Sequence, residues 1–405
     1  MMKKIEVTPD IYWVGAVDWA VRDFHGYITP RGSTYNNYLI MDDEITVVDA
    51  VHDEFTNACI NNIRKHTELS KIRNVIVNHI EPDHAGGLSR LVHKIGNPKI
   101  FCTAKAKQGL ERMFDISKWD ITIVKTGDEL KTGKKTLVFL ETPMLHWPDS
   151  MMTYVKEDGL LISQDGFGQH MASAHRFDDE LLSCVAVSEL EDAVWDYYAN
   201  ILMPFGTLIT QKLAEVQKLG LEIKIIAPDH GIIWRQHPGK VLQMYSDMAS
   251  GKCDERVAII YDTMWHSTEK MIPSLAEGIR DEGMDVKVLK LRATPTSVCV
   301  KEFWRSRGTL IGSPTLNNTL FPQVADFLTT IKGLRPKNRI VSAFGSYGWG
   351  GGAVKEILAS CKDLKLETVD PGIQVKYRPS SQDETDCYNF GREFARKTRE
   401  YHTKF

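Results

Sequence analysis

The pattern of apolar and polar positions changes character near residue 250. Before that point, short apolar runs follow one another in neighbouring pairs, and helical periodicity appears at about 54–66 and 104–114. Neighbouring runs of this kind predict antiparallel strand pairs in a mixed α/β layout. The runs are 37–41 with 45–49, and 136–140 with 152–155 and 160–163.

Beyond a small polar stretch at 250–256, S-G-K-C-D-E-R, apolar strands alternate with helical segments. Short strands that alternate with helices predict a doubly wound parallel sheet. We therefore expect two domains, 1–250 and 251–405. The predicted strands of the second domain are 257–261, 285–289, 308–312, 339–344 and 366–369.

Composition restricts the class of protein. A length of 405 residues suits two domains, and 42% hydrophobic with 25% charged residues is ordinary for a soluble globular protein. The net charge of -3 shows no basic excess, so we expect neither nucleic acid nor a membrane surface as a partner. No run reaches the ~18 apolar residues of a membrane span, and the N-terminus does not resemble a signal peptide.

The seven cysteines are far apart, odd in number and never spaced as C-x-x-C. This spacing supports neither a disulfide framework nor a cysteine-ligated zinc or iron site. It predicts a protein of the reducing cytoplasm.

One strand ends in an unusual run of polar side chains. The apolar segment 73–77 is followed by N-H-I-E-P-D-H-A-G-G, which contains His79, Glu81, Asp83 and His84. An extended chain would place the first three on one side of the strand, and the glycines would let the backbone pass close to a bound ion. A capped turn with solvated charges is the alternative interpretation, but four potential ligands within six residues favour a metal site.

Three further ligand candidates also follow predicted strands: His146 in P-M-L-H-W-P-D-S, Asp165 in L-I-S-Q-D-G-F-G, and His230 in I-I-A-P-D-H-G. Each alone is typical of a turn. Four such strand ends in one domain predict that the side chains converge on metal.

The pattern H-x-E-x-D-H, with a later His, Asp and His, resembles the metallo-β-lactamase fold, whose members usually carry H-x-H-x-D-H and bind zinc. Glu81 stands where the second histidine would be, and three carboxylates among seven ligands suit iron better than hydrolytic zinc. The segments L-H-W-P-D-S-M, F-G-Q-H and Y-Y-A-N-I-L-M-P extend the resemblance, over essentially the whole chain, to flavodiiron proteins. That resemblance implies an α/β chain with a metallo-β-lactamase-like αββα sandwich followed by a flavodoxin-like doubly wound parallel sheet.

The resemblance also implies how the ligands divide. Two sets share one bridging carboxylate: His79, Glu81 and His146 for one iron; Asp83, His84 and His230 for the other; and Asp165 as the bridge. His84 is the ligand that varies within the family. His25 and Tyr197 align with family residues near the open face of the metals and are the catalytic candidates, although such residues usually pack or lie on the surface. Trp147 is implied at the junction of flavin and iron, with a core role as the alternative.

Three polar loops follow the first, third and fourth strands of the second domain, where an open parallel sheet binds its ligands. A helix beginning near Thr268 would attract phosphate, and the loops resemble those of flavodoxin, which implies flavin mononucleotide (FMN). Each loop alone could be a simple turn, and a dinucleotide is less favoured because no G-x-G-x-x-G follows the first strand. The phosphate is expected on Thr263, Met264, Trp265, His266, Ser267 and Thr268. The isoalloxazine is expected against Ser313, Pro314, Thr315, Leu316, Asn317 and Asn318, and against Gly345, Ser346, Tyr347, Gly348, Trp349, Gly350 and Gly351.

Together these features predict a terminal reductase that passes electrons through FMN to two irons and reduces O2 to water, NO to N2O, or both. No cysteine-rich tail precedes Phe405, so an external donor is expected: rubredoxin, or a reduced deazaflavin. The family arrangement implies a homodimer or homotetramer. A two-zinc hydrolase and a non-catalytic electron carrier or gas sensor are the alternative functions.

Overall fold

The computed structural model describes residues 4–401, and the chain divides into two units. The first comprises residues up to 24, 29–197 and 207–246, and the second comprises 25–28, 198–206 and the residues from 247 onward. The ends of the two predicted domains, residues 1–3 and 402–405, lie outside the described residues. The boundary at 250 stays a prediction.

The N-terminal half of the chain contains short strands and mostly short helices. Its strands are β1 (Ile5–Thr8), β2 (Ile11–Trp13), β3 (Ala16–Asp18), β4 (Asp23–Phe24), β5 (Tyr27–Ile28), β6 (Ser33–Tyr35), β7 (Tyr38–Ile40), β8 (Ile45–Val48), β9 (Ile72–Val77), β10 (Lys99–Cys102), β11 (Asp120–Ile123), β12 (Glu129–Lys131), β13 (Thr136–Glu141), β14 (Met151–Val155), β15 (Leu160–Gln164) and β16 (Ile225–Pro228). Its helices are α1 (Thr56–Ile63), α2 (Pro82–Ala85), α3 (Leu88–Ile95), α4 (Ala104–Met113), α5 (Asp178–Leu181), α6 (Val187–Tyr197), α7 (Gly206–Lys218) and α8 (Pro238–Ala249).

Two sheets form the centre of the first unit, a seven-stranded one in the order β1-β2-β7-β8-β9-β10-β11 and a five-stranded one in the order β12-β13-β14-β15-β16. The predicted antiparallel pairs are confirmed, since β7 pairs with β8, and β14 pairs with both β13 and β15. Apolar side chains of both sheets, such as Ile76 and Phe139, share one buried core. Helices α1, α3 and α4 bury Ile60, Leu91 and Leu110 in a second core with the first sheet.

Strand direction brings the predicted ligands to the strand ends. Strand β9 runs parallel to β8 and β10 and ends at Val77, directly before the polar run. Strand β15 runs parallel to β16, so Asp165 and His230 follow the same edge of the second sheet. Loops at such an edge are held by a rigid scaffold, which suits a binding site.

The second unit is built on one parallel sheet in the order β18-β17-β19-β20-β21, which is the flavodoxin-like order and the doubly wound sheet that the sequence predicts. Its strands are β17 (Asp254–Tyr261), β18 (Asp285–Lys290), β19 (Ser306–Gly312), β20 (Ile340–Tyr347), β21 (Glu367–Thr368) and β22 (Ile373–Lys376). Its helices are α9 (Ser267–Lys270), α10 (Ile272–Asp281), α11 (Thr296–Arg305), α12 (Pro322–Leu334), α13 (Ala353–Asp363) and α14 (Ser381–Glu400).

Strand β20 is longer than the sequence pattern predicts. It continues to Tyr347 because the additional short strand β22 pairs with its last part, whereas β21 pairs with its beginning. Gly345, Ser346 and Tyr347, which the sequence places in a loop, therefore end the strand instead. No helix in the described part of the chain is both long and apolar enough to cross a membrane.

Candidate functional site

The carboxylate of Asp165 lies between two pairs of imidazoles. Its Oδ2 atom is 3.2 Å from His146 Nε2 and 3.4 Å from His79 Nε2. Its Oδ1 atom is 3.1 Å from His84 Nε2 and 3.5 Å from His230 Nε2. Each oxygen thus faces one pair, which is the arrangement a carboxylate needs to bridge two metal ions.

Each imidazole pair has a second carboxylate of its own. Glu81 Oε2 is 3.3 Å from His79 Nε2 and 3.2 Å from His146 Nε2. Asp83 Oδ2 is 3.2 Å from His84 Nε2 and 2.9 Å from His230 Nε2. The seven predicted ligands therefore form two groups, and within each group the potential ligand atoms lie within 4.8 Å of one another.

A change of backbone conformation at Pro82 separates the two groups. Glu81 is extended, with φ -56° and ψ 144°, and stands directly before helix α2, whose first residue is Pro82. Proline is favoured there because the first helical N–H has no partner in the helix. The expectation that Asp83 continues the extended run is therefore wrong. The helical turn directs Asp83 to the group with His230, while Glu81 stays with His79.

Outer partners hold the rings by their second nitrogens. His79 Nδ1 donates to Asp149 Oδ2 at 2.9 Å, and His230 Nδ1 donates to the Thr34 carbonyl at 2.6 Å. His84 Nδ1 lies 3.4 Å from Asp229 Oδ2. The two hydrogen bonds fix the tautomers of His79 and His230 and aim their Nε2 atoms at the metal, whereas His84 Nδ1 and Asp229 Oδ2 lie close without a hydrogen bond between them.

Asp149 and Asp229, which lie beside the second nitrogens of His79 and His84, were not predicted from the sequence. Both follow a proline close to a predicted ligand, in W-P-D-S and A-P-D-H. This spacing was the one signal that could have indicated them.

The three carboxylates of the site change the pKa values of the imidazoles beside them. Burial opposes a charged ring, but hydrogen bonds to Asp149 and Glu81 raise the pKa of His79 to about 10. Burial is likewise outweighed at His146, where hydrogen bonds to Asp165 and Glu81 raise the pKa to about 9. Burial would raise the pKa of Asp165, yet His84 and His146 hold it well below its usual range. Three carboxylates and four imidazoles around one point attract cations, and this mixed oxygen and nitrogen set fits iron.

The remaining candidates of the metal region lie in different settings. Tyr197 ends helix α6, is buried, and donates its hydroxyl hydrogen to Asp165 Oδ1 at 2.8 Å. The Trp147 ring meets the His79 ring edge to face, with centroids 5.3 Å apart. His25 follows β4 with a left-handed φ of 53° and belongs to the second unit. The roles expected for these three residues stay predictions.

The three predicted flavin loops meet because β17, β19 and β20 are neighbours in the sheet. Thr268 Oγ1 lies 2.8 Å from Ser346 Oγ, which joins the first loop to the third. Thr315 N donates to the Ser346 carbonyl at 2.9 Å, which joins the second to the third. A Cβ on Gly345 would lie 2.1 Å from the Ser313 carbonyl oxygen, so only glycine permits this close approach.

The loops have features that suit FMN. Thr263 Oγ1 is buried and has no hydrogen-bond partner among the described residues, at the point where the phosphate is expected. Trp265 is 81% exposed and Trp349 is 90% exposed, so both flat rings are available to stack on another ring. An unsatisfied hydroxyl and two exposed indoles fit a phosphate and an isoalloxazine.

The two units also match known families. Residues 34–231 match the family described as "ODP family beta lactamase", and residues 259–391 match the family described as "Flavodoxin". The class of this protein is therefore a β-lactamase-type metal-binding fold joined to a flavodoxin fold.

Relatives and solved structures resemble nearly the whole chain. A nitric oxide reductase of Moorella thermoacetica is 44% identical over 98% of this chain and 99% of its own length. An anaerobic nitric oxide reductase flavorubredoxin of Pectobacterium atrosepticum is 41% identical over 97% of this chain and 77% of its own length.

The rubredoxin oxygen:oxidoreductase from Desulfovibrio gigas superposes with a TM-score of 0.95 at 36% identity, covering 98% of this chain and 99% of that one. The flavodiiron protein from Giardia intestinalis superposes with a TM-score of 0.95 at 36% identity, covering 99% of this chain and 98% of that one. The chain belongs to the flavodiiron protein family. The predicted family, fold class and oxidoreductase activity are confirmed, and the matches support FMN and two irons as its cofactors.

Proposed function

We propose that this protein takes electrons from an external donor, passes them through FMN to a non-haem pair of irons, and there reduces O2 to water, NO to N2O, or both. The division of the Asp165 oxygens between two imidazole pairs carries the proposal. The printed names of the relatives, a nitric oxide reductase and a rubredoxin oxygen:oxidoreductase, agree with these substrates.

The residues have distinct parts in this function. One iron would be held by His79, Glu81 and His146, the other by Asp83, His84 and His230, and Asp165 would hold both. When bound, the irons supply a place for a diatomic gas between them, and FMN supplies electrons one at a time. Thr263 and Thr268 would hold the FMN phosphate.

The buried surroundings of the metal ligands would control water and protons. The Phe24 ring lies 5.4 Å from the His230 ring and 4.5 Å from the His170 ring, and so limits the space for water. His170 Nδ1 is 2.8 Å from Ser33 Oγ, and its ring lies 5.0 Å from the Tyr197 ring. Both reductions consume protons, and these hydrogen-bonding groups would position protons beside the ligands.

The donor, assembly and location form the remaining part of the proposal. Rubredoxin, or a reduced deazaflavin, would reduce the flavin. A head-to-tail homodimer, or a homotetramer of such dimers, would bring the flavin of one subunit to the metals of another. The seven cysteines are free thiols, which agrees with the reducing cytoplasm.

The test is anaerobic turnover on protein of measured iron and FMN content. Protein reduced by rubredoxin is mixed with O2 or NO in a stopped-flow instrument, and flavin oxidation and N2O formation are followed. Oxidation by at least one gas within seconds is expected. A His146→Asn variant should keep its FMN but lose iron and rapid oxidation.

Two outcomes would contradict the proposed function. A chain that carries a pair of zinc ions, hydrolyses thioesters and is not oxidised by either gas would be a hydrolase, and the proposal would fail. Stable reduced protein in the presence of both gases would instead indicate an electron carrier.

A further inference from the structure

A groove of about 1050 Å³ lies in the first unit and is not lined by any of the seven predicted metal ligands. Its walls come from strands β1 to β3, helix α1 and the segment around Arg176. Its volume is at the upper end of clefts that hold small organic ligands, roughly 300–1000 Å³. Trp19, which is 57% exposed, and Phe55 give it apolar ring surfaces.

The charge of Arg176 is buried in the wall of this groove. The residue is 4% exposed, its guanidinium lies 5.0 Å from the centre of the Trp13 ring, and one nitrogen donates to the Ser173 carbonyl. The other terminal nitrogen, Nη1, has no hydrogen-bond partner among the described residues. Nη1 is thus a buried charged donor that lacks a hydrogen bond.

Two acidic side chains line the groove, and both already accept hydrogen bonds. Glu6 Oε1 accepts the backbone N–H of Asp10 at 3.3 Å. Glu180 also lines the groove, but its Oε2 accepts the backbone N–H of Arg176 at 3.3 Å and its Oε1 lies 3.5 Å from Arg235 Nη2. Burial, only partly offset by the charges of Glu180 and Tyr38, lowers the pKa of Arg176 to about 10. The wall of the groove therefore contains a cation whose charge the protein neutralises only in part.

Two exposed lysines add to this positive charge. Lys4 and Lys65 both line the groove, and Lys65 Nζ donates to the amide oxygen of Asn62 at 2.6 Å rather than to a carboxylate. Burial, together with the charges of Lys4 and Lys65, lowers the pKa of the neighbouring His66 to about 4. This local positive field stands out in a chain whose net charge is -3.

We propose that this groove binds an organic anion of metabolite size, whose carboxylate or phosphate group is held by Arg176, Lys4 and Lys65. The flat apolar part of the ligand lies against Trp19 and Phe55. An anion at Nη1 of Arg176 supplies the hydrogen bond that this atom lacks and adds to the partial charge compensation from Glu180. Guanidinium geometry suits both carboxylate and phosphate. The site is independent of the metal ligands and of the flavin loops.

The test is calorimetric titration of protein loaded with iron and FMN, so that the flavin phosphate site is filled. The probes are phenyl phosphate, benzoate, inorganic phosphate and neutral benzyl alcohol. Saturable binding of at least one aromatic anion is expected, with no binding of benzyl alcohol. Comparison of phenyl phosphate with benzoate decides between a phosphate and a carboxylate as the preferred group.

Variants locate the binding. The double substitution Lys4→Gln with Lys65→Gln should weaken binding of the aromatic anion about tenfold, equivalent to about 1.4 kcal/mol, while Lys105→Gln, an exposed lysine outside the groove, should change nothing. Trp19→Ala should weaken the binding of the aromatic anions but not the binding of inorganic phosphate. All of these variants should keep normal gas reduction, because none touches the metal or flavin residues.

Arg176→Gln should abolish binding, and circular dichroism checks its fold. If that variant does not fold, the lysine and tryptophan variants decide. The proposal is overturned if neither aromatic anion binds saturably, if benzyl alcohol binds as well as they do, or if the lysine double variant binds like the unchanged protein.

Discussion

The hydroxyl of Tyr197 donates a hydrogen bond to Asp165 Oδ1 at 2.8 Å, and the same oxygen lies 3.1 Å from His84 Nε2. Both side chains are buried, and they come from different parts of the first unit, helix α6 and the end of strand β15. We therefore expect Tyr197 to orient the carboxylate of Asp165, which faces both imidazole pairs.

Substitution of Tyr197 by phenylalanine should test this relationship. The variant loses the hydrogen bond but keeps the ring, so we expect it to bind iron with an altered absorption or Mössbauer spectrum and to reduce gas roughly 10–100-fold more slowly. Tyr154→Phe is the matched control, because that hydroxyl donates to the Glu222 carbonyl at 2.9 Å, away from the ligands. Identical spectra for the Tyr197 variant and the unchanged protein would show that the contact has no effect on the metals.

Asp149 should affect the affinity of the protein for the iron that His79 would hold. Its Oδ2 accepts both His79 Nδ1 and the backbone N–H of Ile80, each at 2.9 Å. In Asp149→Ala the ring of His79 loses its orienting partner, and iron affinity should fall roughly 10–100-fold. Iron remaining after a timed chelator challenge measures this loss.

A suitable control for Asp149 is Asp128→Ala. Asp128 is exposed, and its side-chain Oδ2 accepts a backbone hydrogen bond from Lys125 N at 2.8 Å. Equal iron loss from both variants would exclude a specific role for Asp149.

Thr263 should contribute to FMN affinity without contributing to stability. Its buried hydroxyl has no partner among the described residues, so Thr263→Val removes a polar group that is unsatisfied until phosphate binds. We expect FMN affinity to fall about tenfold, or about 1.4 kcal/mol, while the flavin-free protein unfolds at the same or a higher temperature. Fluorescence titration with FMN measures the first effect and calorimetry the second.

Thr309→Val is the matched control for Thr263. Thr309 lies within strand β19, and its hydroxyl is likewise buried without a partner in the described part of the chain. This variant should leave FMN affinity unchanged. Equal loss in both variants would mean that Thr263 does not contact the flavin.

Glu269 should make the second unit sensitive to acid. Hydrogen bonds from His266 and Tyr261, and then Lys290, lower the pKa of Glu269 from 4.5 to about 2. Because the folded-state pKa is the lower one, the stabilising contribution is complete above pH 4.5 and disappears as the pH falls towards 2. Glu269→Gln should therefore lower the free energy of unfolding by a constant amount at neutral pH, and by progressively less in acid.

Urea unfolding of the flavin-free full chain at several pH values measures this difference. Tryptophan fluorescence follows the unfolding. Glu277→Gln, an exposed glutamate of helix α10, is the comparison. A Glu269 variant that differs from the unchanged protein equally at all pH values would contradict the assignment.

Much of the fold follows from local patterns in the chain. Alternation of apolar and polar residues depends on the geometry of a strand or helix, so the paired strands of the first unit and the alternating strands and helices of the second were predictable. Strand β22 was not predicted, because its short segment, Ile373–Lys376, carries little apolar signal and forms only where β20 extends beside it.

The candidate site was likewise predictable from the sequence only in part. Its seven residues were recognisable because polar side chains rarely follow buried strands without a reason. Their allocation to the two groups was implied by resemblance, not by spacing, and the helical turn at Pro82 reversed the expectation for Asp83. Asp149, Asp229 and the Thr34 carbonyl were not identified from the sequence, since the proline before each aspartate is only a weak local signal and a backbone carbonyl gives none.

The sequence by itself therefore determined the elements, the order of the two folds and the chemical character of the ligands. Only the tertiary structure decided which atoms meet, such as His230 Nε2 and Asp83 Oδ2, 2.9 Å apart but separated by 147 positions in the chain. The periodicity of apolar residues reports the local conformation of the chain. Contacts between distant residues depend on sheet order and strand direction, which are determined by the packing of side chains from the whole unit.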